Sequence, residues 1–282
     1  MAVAARVSAR SFVLDLLSTL RRGAMPVRAL VEAASLFEIA EGSVRVALTR
    51  LLAEGLVERD ERGQYRLGAA AEPVRARVAT WRDLGAQLRP WSGAWIGVLD
   101  ARAGTRAAQR AGERALRMLG FRALTKSLAV RPDNLAGGVA RVRDELAALG
   151  LAPGGTVCEL RALDDVTEAR ARRLWDADAL VAGYRRHVRA IEASTQRLRA
   201  RSDERAMVES FRVGGAALRA LATDPLLPEP IVPAPERDAL VAAMRGYDAL
   251  GRARWSAFLS RHGVAHRAAP IDSRALVRGD LR

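Results

Sequence analysis

From residue 12 onward, apolar positions recur at helical spacing in three runs. Phe12, Val13, Leu16, Leu17 and Leu20 form one stripe that Gly23 closes, and Pro26 opens a second carrying Val27, Leu30, Val31 and Ala34. In the third, Val44, Leu48, Leu51 and Leu52 fall on one face of a helix that Gly55 ends, leaving Ser43, Arg45, Val46, Thr49 and Arg50 on other faces. The period then changes. Leu56-Val57 and Tyr65-Arg66-Leu67 read as two short strands around a wing from Glu58 to Gln64, with Gly63 near the turn. Three helices followed by a hairpin are the order of a winged helix-turn-helix, in which the third helix normally enters a DNA major groove while the wing follows backbone or minor groove.

The residue types on the third helix suit that role. Arginine forks onto guanine, serine and threonine bond phosphate or bases, and β-branched methyls touch thymine. Ser43, Arg45, Val46, Thr49 and Arg50 are therefore candidate groove readers, and Arg59, Arg62 and Arg66 of the hairpin are candidate phosphate contacts. The plain alternative is a surface helix and hairpin that only pack a small domain.

Residues 71–88, with Pro73 and Trp81, read as a linker helix. Beyond it, Trp91 to Leu99 is a strand pattern, Thr105 to Leu119 a helix, Ala123 to Val130 extended, Leu135 to Leu149 a helix closed by Gly150, and Thr156 to Arg161 a strand. This order over 89–165 is compatible with a ferredoxin-like α+β domain, although a fourth strand is not obvious. Residues 166–282 read as a helical C-terminal domain with helices at Ala177 to Arg201, Asp203 to Ala222 and Glu236 to His262. Within it, 224–235 is proline-rich; its prolines forbid helix, and Leu226, Leu227, Ile231 and Val232 favour a packed rather than a free segment. The fold class is α+β, mainly helical, with the DNA-binding head at residues 1–70.

Composition adds a polyanionic partner to this picture. Lys+Arg number 46 against 32 Asp+Glu, a net charge of +14, and Lys126 is the only lysine. The excess is not concentrated at the head: residues 1–70 carry +2 and residues 167–282 carry +7. That leaves room for a second anionic ligand downstream. Cys158 stands alone in an apolar run, which excludes an intrachain disulfide framework and reads as a buried strand residue in a reducing cytoplasm. A membrane span and a secretion signal are both absent from the pattern.

These blocks together resemble the PaaX-like family of transcriptional repressors, named for the phenylacetic acid degradation operon. The resemblance rests on Val44-Arg45-Val-Ala-Leu-Thr-Arg50-Leu51 followed by Glu54-Gly55-Leu56, on Trp91-Ser-Gly-Ala-Trp95, on Leu119-Gly120-Phe121 followed by Arg131-Pro132, and on Asp224-Pro225-Leu226-Leu227-Pro228-Glu229. It implies a winged helix, a central ferredoxin-like domain similar to that of CRISPR-adaptation ribonucleases, and a helical C-terminal domain. It also implies a cytoplasmic homodimer on a palindromic double-stranded DNA operator, released by an aryl-acetyl-CoA effector, typically phenylacetyl-CoA. The chain departs from the family at Leu56, where tryptophan is frequent, in its short wing, and at Glu236, where an aromatic is usual.

An acyl-CoA needs guanidinium donors beside an apolar slot. Arg185, Arg186, Arg189, Arg197 and Arg201 are candidate donors, and Trp175, Tyr184, Phe211 and Trp255 candidate acyl neighbours; a solvated helix face and ordinary core packing are the respective alternatives. An enzymatic alternative places a metal-dependent nucleic-acid-cleaving, or purely dimerising, module on the central domain, with Asp100 at a strand end as its carboxylate. A turn residue accounts for Asp100 as simply. His262 and His266 are four apart, but Gly263 interrupts the helix that would align them. Gly214 and Gly215 fit either a close phosphate approach or close helix packing. The expectation is a regulator rather than an enzyme, with neither metal nor cofactor and no membrane partner.

Overall fold

Ser8 starts the first helix, α1 (Ala9–Ser18), by accepting a hydrogen bond from the Ser11 amide through its hydroxyl. This computed structural model describes residues 7–20, 23–100, 104–201 and 203–265. Their architecture is mainly helical α+β with two antiparallel sheets. Strand β1 (Met25–Pro26) leads into α2 (Val27–Ser35), and α3 (Glu41–Ala53) follows. Gly55 (φ +66°) then turns the chain out of α3: its amide bonds the Leu52 carbonyl and the Leu56 amide bonds the Leu51 carbonyl, closing the helix end. Strands β2 (Val57–Arg59) and β3 (Gln64–Leu67) pair in the register Val57 with Leu67, Glu58 with Arg66 and Arg59 with Tyr65, and β1 adds to the far side of β3.

The chain divides into two compact units. The first comprises the described residues of Met1–Glu72, Ile191–Gly215 and Met244–Arg282; the second comprises Pro73–Ala190 and Ala216–Ala243. The core of the first joins Phe12, Leu16, Leu30, Val44, Leu48 and Leu51 to Met207, Trp255 and Phe258. Ala47 is buried in it, whereas Leu52, expected on the core face, is 37 % exposed. At 100° per residue Leu52 falls between the buried stripe and the solvent face, and the smaller Ala47 occupies the packed position.

In the second unit, the linker breaks into α4 (Glu72–Ala79) and the 3₁₀ turns Thr80–Asp83 and Gly85–Gln87 rather than one helix. Strand β4 (Trp95–Leu99) begins four residues later than expected because Gly93 takes φ +87°. Helix α5 (Arg106–Met118), capped by Thr105, leads to the hairpin of β5 (Arg122–Ala123) and β6 (Leu128–Pro132). What reads as one extended run from Ala123 is thus two strands and a turn, and it supplies the fourth strand. Helix α6 (Gly138–Ala148) and β7 (Thr156–Leu160) complete the sheet, in spatial order β5-β6-β4-β7 with every pairing antiparallel. Cys158 lies on the edge strand β7 and is half-buried, a correction to the expected buried thiol.

Helices α7 (Asp165–Arg172), α8 (Ala177–Arg199), α9 (Glu204–Ala222) and α10 (Pro235–Arg261) follow. Between the last two, the proline-rich block is packed: Asp224, Leu226, Leu227 and Val232 are all at most 2 % exposed. Leu226 sits at φ +51°, a conformation disfavoured for a branched side chain, and polar groups hold it there. Its amide donates to Asp224 Oδ1 (2.7 Å), and its carbonyl accepts from Asn134 Nδ2 (2.6 Å). The fully buried Arg131 guanidinium donates to the carbonyls of Leu119, Pro132 and Pro225 and to Asn134 Oδ1. Tyr184 Oη donates to Asp224 Oδ2 at 2.5 Å. Burial pushes the Arg131 guanidinium down to about 9, still well above neutral pH, so it remains a cation among carbonyls.

Candidate nucleic-acid interface

Helix α3 keeps its aliphatic stripe inward and thereby presents a continuous outer face. Ser43, Arg45, Val46, Thr49 and Arg50 are all exposed on it. Val46, an apolar side chain among them, is 51 % exposed. The Arg45 side chain reaches back one turn to Glu41, with Nε donating to Oε1 at 2.8 Å and an Nη at 2.6 Å from the same oxygen. Thr49 Oγ1 donates to the Arg45 carbonyl (3.1 Å), which leaves that oxygen an acceptor toward solvent.

A residue outside the expected set joins this surface. Arg10, on α1, holds Glu54 at the end of α3 through two parallel bonds of 2.8 and 2.6 Å. The pair holds the Glu54 carboxyl below the usual carboxylate range and the Arg10 guanidinium above its own. Arg10 and Ala9 line a shallow concavity together with Ser43, Val46, Ala47 and Arg50. No sequence signal joins Arg10 to this surface, because the contact spans 44 residues and depends on how α1 crosses α3.

The hairpin differs in detail from the expected wing. Glu58 and Arg59 belong to β2, so the loop shrinks to Asp60–Gly63. Asp60 Oδ1 accepts from the amides of Arg62 and Gln64, and Gly63 takes φ +74° to close the turn. Arg59 lies over the Tyr65 ring at 5.8 Å and, like Arg62, is exposed. Arg66 is also exposed but donates to Glu58 Oε2 across the strand pair at 3.1 Å.

The expected effector residues divide between the two units. Arg185, Arg186, Arg189, Arg197 and Arg201 are exposed; Arg185 pairs with Glu236 (2.5 Å) and Arg197 with Glu209 (2.6 Å). Trp175 and Tyr184 are buried in the second unit, with Trp175 Nε1 donating to the Gly120 carbonyl and its ring stacked 6.2 Å from Trp95. Phe211 and Trp255 belong to the first unit, where Phe211 packs on Phe12, Phe37 and Trp255, and Trp255 Nε1 donates to the Met207 carbonyl. Two of the four aromatics thus belong to each unit.

Asp100, the residue after β4, is exposed at φ +53°, and its amide donates to the Ser127 carbonyl. Among the described residues no three His, Cys, Asp or Glu side chains gather as a metal site. His262 Nε2 lies 3.0 Å from Glu32, its ring is against Phe258 at 4.7 Å, and His266 lies outside the described residues. A Cβ at Gly214 would meet the Tyr247 ring at 3.4 Å, about van der Waals contact. No helix among the described residues is long and apolar enough to cross a membrane.

No curated protein matches the chain. Among solved structures it is similar to an uncharacterised protein, Rv0674 from Mycobacterium tuberculosis, with a TM-score of 0.55, 26 % sequence identity, and coverage of 89 % of this chain and 98 % of that one. The three helices and hairpin that carry the exposed arginine face, residues 8–71, match the model of the family described as PaaX-like protein.

Proposed function

We propose that the chain is a dimeric DNA-binding transcriptional regulator, a repressor of aromatic-acid catabolism released from its operator by an aryl-acetyl-CoA. The single observation that carries this is the outer face of α3, where Arg45, Val46, Thr49 and Arg50 stand in solvent beside the Arg59 and Arg62 hairpin, within the segment matched by the PaaX-like family. The helix-strand-helix-helix-strand-strand order of residues 9–67 supports a winged helix, with α3 in the major groove and the Asp60–Gly63 turn as wing. The β-α-β-β-α-β order and β5-β6-β4-β7 arrangement support a ferredoxin-like domain over 89–165, joined by 71–88 to the head at 1–70 and followed by a helical region over 166–282.

In a two-fold dimer, recognition helices about 34–36 Å apart span successive major grooves, so a small rotation of one head breaks register on both half-sites. An effector moves that equilibrium only by its differential affinity for the two arrangements, typically about 5–150-fold. Fluorescence anisotropy of the protein on DNA from its own upstream region, titrated with phenylacetyl-CoA against free CoA and phenylacetate, tests the reading. Release by the thioester alone supports it. Binding with no response removes the effector, and no binding removes the operator.

A further inference from the structure

Val46 is an exposed apolar side chain in the middle of the face that α3 presents to solvent. It is among four large apolar side chains exposed among the described residues, and of the two on α3 it is the more exposed, 51 % against 37 % for Leu52. Val46 lies mid-helix on the face opposite the buried stripe of Val44, Leu48 and Leu51, where alanine or a long polar residue would favour the helix more. Its surroundings are small and apolar: Ala9 and Ala47 line the concavity, and nothing stands within 4 Å of where a Cβ on Gly42 would be. Its rim carries the Arg50 guanidinium and Ser43, with Arg10 held on the Glu54 carboxylate. Arg45, the preceding residue, places one edge of its guanidinium on Glu41.

An apolar floor with a guanidinium rim matches one element of the B-DNA major groove. Of the four bases only thymine presents a methyl group there, flanked by phosphates on both strands. We propose that Val46 reads the 5-methyl of a thymine, so that the DNA site of this protein contains a thymine that uracil does not replace. The proposal rests on the reading of α3 as the helix in the major groove, and it adds the base class that the helix selects. RNA is disfavoured twice over, since uracil lacks the methyl and the A-form major groove is too narrow for a helix.

The test starts from the full chain and a random duplex pool. The enriched site is synthesised with each thymine replaced singly by deoxyuridine, and affinities of wild type and Val46→Ala are measured on every duplex. One position should cost wild type about three- to fivefold, the order expected for one buried methyl group, and cost Val46→Ala nothing. Circular dichroism should show the variant folded, because the side chain is exposed. Absence of any uracil-sensitive thymine, or equal sensitivity in Val46→Ala, overturns the proposal while leaving the DNA reading in place. Failure of the pool to enrich removes that reading, and this proposal with it.

Discussion

Arg45 carries most of what a single residue contributes here. Its guanidinium is 60 % exposed and its ion pair with Glu41 is an i,i+4 surface pair, worth about 0.3–0.5 kcal/mol. A bidentate contact with guanine is worth about 1–3 kcal/mol, so in the proposed complex guanine would outcompete Glu41 for this guanidinium. Arg45→Ala should therefore weaken binding roughly 5- to 150-fold in a gel-shift titration while leaving thermal stability unchanged; unchanged affinity would take Arg45 off the surface. Both partners are legible in the sequence, because helical spacing alone brings residues 41 and 45 together. Arg131 is the opposite case. Its acceptors include Pro225, 94 residues away, and no local pattern marks it as buried. Removing the guanidinium strands several buried carbonyls, so Arg131→Met should lower unfolding stability by roughly 3 kcal/mol or more in urea, and Arg131→Lys should not restore it, since a single ammonium cannot span the same acceptors.

Elements were legible where one period ran uninterrupted, as in α3, α5 and α8, and illegible where tertiary contact decides. The two-residue strand β5 has no periodicity to read; it exists because β6 pairs with it. The broken linker follows from Trp81, which is buried and pins the chain at Thr80–Asp83. The proline-rich block was readable as packed but not in its partner. Gly120, at φ +77°, lies so close that an added Cβ would come within 2.6 Å of Pro225 Cα. Gly120→Ala should thus combine a disfavoured conformation with a backbone clash and open the block to proteolysis near Pro228 at neutral pH, where wild type resists. The α1 to α3 link adds a pH signature. Glu54 is depressed in the folded state by Arg10, so the stability it contributes is present above the ordinary carboxylate range and is lost as pH falls through its folded value. Thermal midpoints of wild type and Arg10→Ala should differ at pH 6 and converge toward pH 3; a constant difference would assign Arg10 a packing role instead.

For the whole molecule, the net charge of +14 gives little information about where DNA binds, because the first 70 residues hold only +2. Glu41, Glu54 and Glu58 each hold one arginine of this segment, namely Arg45, Arg10 and Arg66, and offset its charge. In the proposed DNA complex, electrostatic binding rests on arginines outside these pairs, above all Arg59 and Arg62 of the hairpin and Arg50 of α3. Each phosphate neutralised contributes about −0.9 to the slope of log affinity against log salt. Arg59→Ala and Arg62→Ala should each flatten that slope by about one and weaken all sequences alike, whereas Arg45→Ala should leave the slope near its wild-type value and relax the sequence preference. Glu58→Gln should move the other way: with Arg66 released from its carboxylate toward the duplex, the slope steepens and affinity rises at low salt. If the slope instead responds only to arginines of α8, such as Arg185 and Arg189, the polyanion lies on the helical region, and the exposed face of α3 serves something other than DNA.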